Sequence, residues 1–200
     1  DVGQLLNTHQ AVIVTTPAPQ AEPLLTAIPR FAELARSAES IPTWVVALGL
    51  RQKTKKPVDL FSGRHPLLAR AICNSSKPGR SAGPFAETWL LEANPKWSKR
   101  HQTSAPKQVG TELIKAFQSV MEEPLEIAAL RTHRWLYARH GSADSAEYLW
   151  CPKNRIGVCS DWLAYTGSEG AWLSANHLAD KLLTNHKAVS INLQAYQNGE

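Results

Sequence analysis

Two short apolar runs near opposite ends of the chain constrain its fold more than anything between them. Residues 11–15, Ala-Val-Ile-Val-Thr, are almost wholly apolar and are closed by Pro17 and Pro19. Residues 156–159, Ile-Gly-Val-Cys, run into Asp161-Trp162. A strand without polar alternation reads as one buried on both faces of an α/β sheet. The stretch between the two runs reads instead as alternating strands suited to antiparallel pairing. This order predicts a mixed α/β (α+β) fold with a discontinuous layout. Residues 1–20 and 151–200 share one α/β layer, and residues 21–150 form a sheet-based cap.

Within the middle stretch, Leu24, Leu25, Ile28, Phe31, Leu34 and Ala35 fit one helical face, which Pro29 divides into two short helices. Residues 43–50, 68–76 and 86–93 read as strands, the last two joined by a long Ser, Pro and Gly-rich hairpin loop. Residues 109–121 carry Val109, Leu113, Ile114, Phe117, Val120 and Met121 on one helical stripe, which reads as core. Residues 129–140 form a further strand, and a polar tail is expected from about Thr184. No internal repeat is visible.

Composition removes several classes of function. The 200 residues are 43% apolar, enough for one domain or two small ones. No apolar run approaches the roughly 18 residues of a membrane helix, and the first residues lack the basic head and apolar stretch of a signal peptide. Cys73, Cys151 and Cys159 form neither a CxxC pair nor a Cys/His metal spacing. Free thiols in a reducing cytoplasm account for them, with Cys159 packed in its strand. The net charge of +5 gathers in residues 51–56, 77–80 and 96–100. Solvated loops explain these runs best; an anionic small molecule is the next reading, and nucleic acid the least favoured.

The closing strand, turn and helix hold the local chemistry. Ala171, Ala175, Leu178, Ala179 and Leu182 form the expected apolar stripe of the last helix. Thr166-Gly167-Ser168-Glu169 has capping-box form, with Thr166 or Ser168 as the cap. The free amides of such a first turn carry partial positive charge. Gly167, Gly170 and Ala171 would let a ligand's polar atoms approach them. Asp161 reads either as a turn former or as an acceptor for ligand hydroxyls. Trp162 reads equally as core or as the lining for a flat ligand.

The segments together resemble a known family. Ser160-Asp161-Trp162 and Ser168-Glu169-Gly170-Ala171-Trp172-Leu173-Ser174-Ala175 are similar to the closing motif of flavin-dependent amine-oxidase-type proteins, the renalase-like branch above all. Residues 14–25 resemble that family's Pro-Ala-Pro-Gln strand–helix junction. Residues 75–80 and 94–101 resemble loop and Trp-Ser segments of its cap domain, and residues 132–138 its His-Arg-Trp-x-Tyr-Ala strand. The resemblance implies part of a Rossmann-like FAD-binding layer in residues 1–20 and 151–200, and an antiparallel-sheet substrate domain in residues 21–150. It implies FAD as cofactor, with hydride passing to the flavin and then to dioxygen. The substrate would be a reduced nicotinamide-type dinucleotide or an amine. Asp161, Trp162, Glu169, Gly170, Ala171 and Trp172 would contact the cofactor. His133, Arg134, Trp135 and Tyr137 would lie near the substrate, although His133 and Arg134 also fit a surface or sheet-partner role, and Trp135 and Tyr137 a core role. No residue is assigned to catalysis.

Ser160, Gly167, Ser168 and Ala175 depart from the family pattern, and a Cβ and hydroxyl at position 160 narrow the cofactor space. No Gly-x-Gly-x-x-Gly fingerprint occurs in the chain. The expectation is therefore half of a flavin site, completed by a complementary N-terminal segment or separate chain. The alternatives are a non-catalytic remnant acting as a protein-interaction module without flavin, and a binder of anionic nucleotides on the basic loops.

Overall fold

The computed structural model describes residues 7–141 and 146–197. The order begins with strand β1 (Val12–Val14), the short helix α1 (Ala18–Ala21) and, after a 3-10 turn at Glu22–Leu25, helix α2 (Pro29–Ser37). Strands β2 (Ser40–Leu50), β3 (Leu60–Ser62), β4 (Leu68–Cys73) and β5 (Glu87–Ala93) follow, then helices α3 (Pro95–Arg100) and α4 (Pro106–Met121). The chain closes with β6 (Ile127–His140), β7 (Leu149–Cys151), β8 (Ile156–Val158) and the long helix α5 (Gly167–Gln197). The fold is a mixture of α and β elements, as expected. It divides into two compact units, residues 1–40 with 139–200 and residues 41–138.

In the first unit, β1 pairs in parallel with β8, Val12 opposite Ile156 and Val14 opposite Val158, and β7 pairs antiparallel on the other side of β8. Around this small sheet Val14, Ala18, Leu25, Phe31, Ala35, Leu149, Val158, Trp162 and Leu163 form one apolar cluster. The cluster explains why the unit boundary falls at residues 40 and 139, where sequence placed it at 20 and 150. Leu25, Phe31 and Ala35 come from the segment read as cap, yet they bury their surface beside Val14 and Trp162. A second expectation is corrected at β1. Val14 is 6% exposed, but Val12 is 51% and Ile13 39% exposed. Those exposures show that its apolar run is not covered on both faces; among the described residues the strand is also an edge of a three-stranded sheet.

The second unit is built on a five-stranded sheet ordered β3-β4-β5-β2-β6. The β3–β4, β4–β5 and β2–β5 pairs are antiparallel. Alternation sends Trp44, Val46, Leu48 and Leu50 of β2 and Trp89 and Leu91 of β5 to one face. There α4 lays Val109, Leu113, Phe117 and Met121 against them, with Trp89 and Phe117 rings 4.9 Å apart. Burying each such side chain contributes about 1.5–3 kcal/mol. Helix α4 starts with Pro106 at its first position, where a missing N–H is harmless. It ends where Glu122 takes a left-handed conformation, φ 57°. Helix α3 lies in a stretch to which the sequence reading assigned no element. Its start signal is Asn94-Pro95: the Asn94 side chain accepts a hydrogen bond from the Lys96 amide at 2.9 Å.

Helix α5 also differs from expectation. It continues to Gln197, through the segment read as a polar tail. Its buried face runs through Gly170, Ser174 and Leu178, while Ala175 and Ala179 are exposed. The face turned because Ser174, buried to 1% exposure, makes specific hydrogen bonds.

Candidate functional site

The carboxyl ends of β1 and β8 and the first turns of α5 enclose a cleft of about 530 Å³, lined by Thr15, Cys159, Ser160, Asp161, Ser168, Ala171 and Ala175. Parallel strands present such crevices at their carboxyl ends because the chain leaves the sheet there in loops. The first amides of a helix add partial positive charge at the same mouth.

Hydrogen bonds hold the turn after β8 in place. The Cys159 amide donates to the Val14 carbonyl at 3.2 Å. The Ser160 amide donates to Ser174 Oγ at 3.1 Å, and that hydroxyl donates to the Glu147 carbonyl at 2.6 Å. One serine of α5 thus ties the turn and the segment before β7 to the helix. The Trp162 indole N–H donates to the Thr16 carbonyl at 3.0 Å, and its ring is fully buried. Trp162 is core; it anchors the two strand ends and does not present a face to a ligand.

Asp161 stands at the mouth with its side chain 31% exposed. Ser160 Oγ donates to Asp161 Oδ1 at 3.3 Å. Behind it, His140 Nε2 lies 3.8 Å from Asp161 Oδ1, and His140 Nδ1 lies 3.1 Å from Ser40 Oγ. The His140 side chain is only 3% exposed. It backs the carboxylate, leaving the exposed part of Asp161 to accept hydrogen bonds from a ligand. Ser40 and His140 escaped the sequence reading because they lie at the ends of two strands 100 residues apart. Burial pushes the Cys159 thiol up from its ordinary value, so this wall of the cleft is uncharged near neutrality.

The other expected cofactor residues divide. Ala171 lines the cleft, and with Ala175 it keeps bulk away from the wall. Gly170 is buried, and a Cβ there would stand 2.5 Å from the Tyr165 carbonyl carbon. Its smallness serves helix-to-loop packing, not a ligand's approach. Glu169 is exposed in the first turn of α5, and Trp172 is 65% exposed. Neither lines the cleft.

The four expected substrate residues lie on β6, in the second unit. His133, Trp135 and Tyr137 share one face of the strand by alternation, and the His133 and Trp135 rings meet edge to face at 4.7 Å. Trp135 is 57% exposed and Tyr137 half-buried, so neither is core. Arg134 points the other way, its guanidinium 5.5 Å from the centre of the Trp44 ring. That cation–π contact makes Arg134 a partner of the sheet. Among the described residues no group of His, Cys, Asp and Glu could hold a metal ion, and no helix is long and apolar enough to cross a membrane.

No protein-family profile matches the chain. Solved structures do match in fold. A candidate protoporphyrinogen oxidase from Exiguobacterium sp. 255-15 aligns over 86% of the chain at 13% identity, with a TM-score of 0.64. An oxidoreductase from Methanosarcina mazei aligns over 87% at 12% identity and a TM-score of 0.57. Cyclohexylamine oxidase from Brevibacterium oxydans IH-35A aligns over 85% at 11% identity and a TM-score of 0.52. At such identities the likeness is one of fold, and the fold is one found in oxidoreductases. The chain spans 40%, 43% and 43% of the lengths of these three structures.

Proposed function

We propose that the chain forms part of an FAD-dependent oxidoreductase of renalase-like or amine-oxidase-like type. The observation that carries this reading is the cleft at the carboxyl ends of β1 and β8. It joins a part-exposed carboxylate, the amino end of a long helix and a wall of alanines in one crevice. These groups suit the hydroxyl-bearing and phosphate-bearing stretch of a dinucleotide. Asp161 would accept from hydroxyls, and the α5 amides near Ser168 would face oxygens of the diphosphate. Ala171 and Ala175 add no side chain beyond Cβ to block approach, which is the fit expected of a cradle. Bound FAD would supply the hydride acceptor, which the side chains lack.

The residues' own tasks are binding and orientation. Ser40 steadies the His140 ring behind the Asp161 carboxylate, and Ser174 fixes the Ser160 turn. His133, Trp135 and Tyr137 offer an aromatic surface suited to a reduced nicotinamide-type or amine substrate. A complementary segment carrying a Gly-rich βαβ unit would complete the dinucleotide site. Activity would lie in the cytoplasm.

Flavin titration tests the reading. The chain mixed with FAD and a polypeptide supplying a Gly-x-Gly-x-x-Gly unit is expected to gain bound flavin absorbance. Asp161→Ala is expected to weaken that binding at least about tenfold, near 1.4 kcal/mol. A mixture that retains no flavin after gel filtration, at any FAD concentration, would end the proposal. It would favour the second reading, a non-catalytic interaction module, to which the exposed edge strand β1 also points.

A further inference from the structure

The face of the second unit's sheet turned away from α4 holds a separate cleft of about 430 Å³. Its origin is in the register. Ala47 stands opposite Leu90, and Gly49 opposite Thr88, while the intervening Leu48 and Trp89 point into the core. Ala47, Leu90 and Ala129 supply an apolar floor, with Phe85 over Gly49 at one end. The contact explains the glycine: a Cβ at Gly49 would come within 2.6 Å of the Phe85 ring. Arg131 is exposed, shares the face of β6 with Ala129 by alternation, and is the one charged residue among the described residues that line the cleft. The Thr88 hydroxyl, in the same lining, is buried with no hydrogen-bond partner among the described residues, although such groups are ordinarily paired.

A concave apolar surface of this volume, with a few polar groups at its margin, has the character of a small-molecule site. The sign of the charge selects the ligand. A guanidinium binds a carboxylate through two parallel hydrogen bonds, and no carboxylate of the described lining competes for it. We propose that this cleft binds a small carboxylic acid with a flat or branched apolar body. The carboxylate sits on Arg131 and the apolar part lies against Ala47, Leu90 and Ala129, with Phe85 closing the end. Because the site lies wholly within residues 41–138, the proposal stands apart from the flavin reading.

The test uses the full chain without flavin, titrated with 2-naphthoate and with the neutral 2-naphthamide, followed by tryptophan fluorescence and calorimetry. Calorimetry gives the affinities, because Trp89 turns its ring into the core behind the cleft floor and reports only indirectly. Saturable 1:1 binding is expected, with the acid at least about tenfold tighter than the amide, the advantage of a charge-assisted contact. Arg131→Gln should abolish that preference while leaving amide binding intact; Lys107→Gln, on the exposed start of α4, should leave the preference unchanged. Leu90→Asp should weaken both ligands, with circular dichroism confirming the fold. Equal affinity for acid and amide, no saturable binding to the wild-type chain, or a preference that survives Arg131→Gln would each overturn the proposal.

Discussion

Ser174 shows how much one small polar side chain can determine. It accepts from the Ser160 amide and donates to the Glu147 carbonyl, both from a position almost closed to water. Replacing it with alanine leaves a buried N–H without a partner, which costs about 1–3 kcal/mol. Ser174→Ala is therefore expected to lower the unfolding free energy, read from denaturant titration, by that amount; an unchanged midpoint would show that the turn does not depend on it. Cys159, on the same turn, carries a pH prediction. Its folded thiol holds its proton more tightly than the ordinary value of 9.0 because burial disfavours the thiolate. Above that value the unfolded chain binds fewer protons than the folded one, so stability is present below it and lost as pH rises. The stability difference between the wild type and Cys159→Ala should shift against the wild type between about pH 8 and about pH 10. A difference constant across that window would contradict the assignment.

At the scale of elements, the long periodic segments were legible, as were the short apolar runs of β1 and β8, whereas β3 and β7 were not. The stripe from Val109 to Met121 predicts α4 because six apolar residues at helical spacing can be buried together only on one face. Strands β3 and β7 have three residues each, too few to show a period. The stop of α4 yields a prediction. Glu122 takes a left-handed conformation that costs a residue with a Cβ about 1–2 kcal/mol. Its ion pair with Lys56, at 3.1 Å and with Glu122 77% exposed, returns little. Glu122→Gly is expected to raise stability by up to about 1 kcal/mol in thermal unfolding. A lower melting temperature would mean that the ion pair outweighs the backbone strain.

For the whole molecule, the notable feature is an edge. Strand β1 pairs on one side only among the described residues, and it exposes Val12 and Ile13. Unguarded apolar edges recruit further strands. The chain is expected to self-associate at high concentration, and Val12→Lys to shift it toward monomer in sedimentation velocity. A wild-type chain that remains monomeric and binds no apolar dye would remove the argument.

Sequence alone determined the mixture of strands and helices and the core stripe of α4, because each rests on neighbours in the chain. The partition into units, the burial of Trp162 and the true inward face of α5 were decided by tertiary structure. Each depends on which distant surface covers a residue. Ala175 and Leu178 look alike to a helical period, yet one lines a cleft and the other the core. Likewise, nothing local joins Ser40 and His140 behind Asp161, or sets Arg131 at the rim of an apolar cleft; strand pairing brings them there.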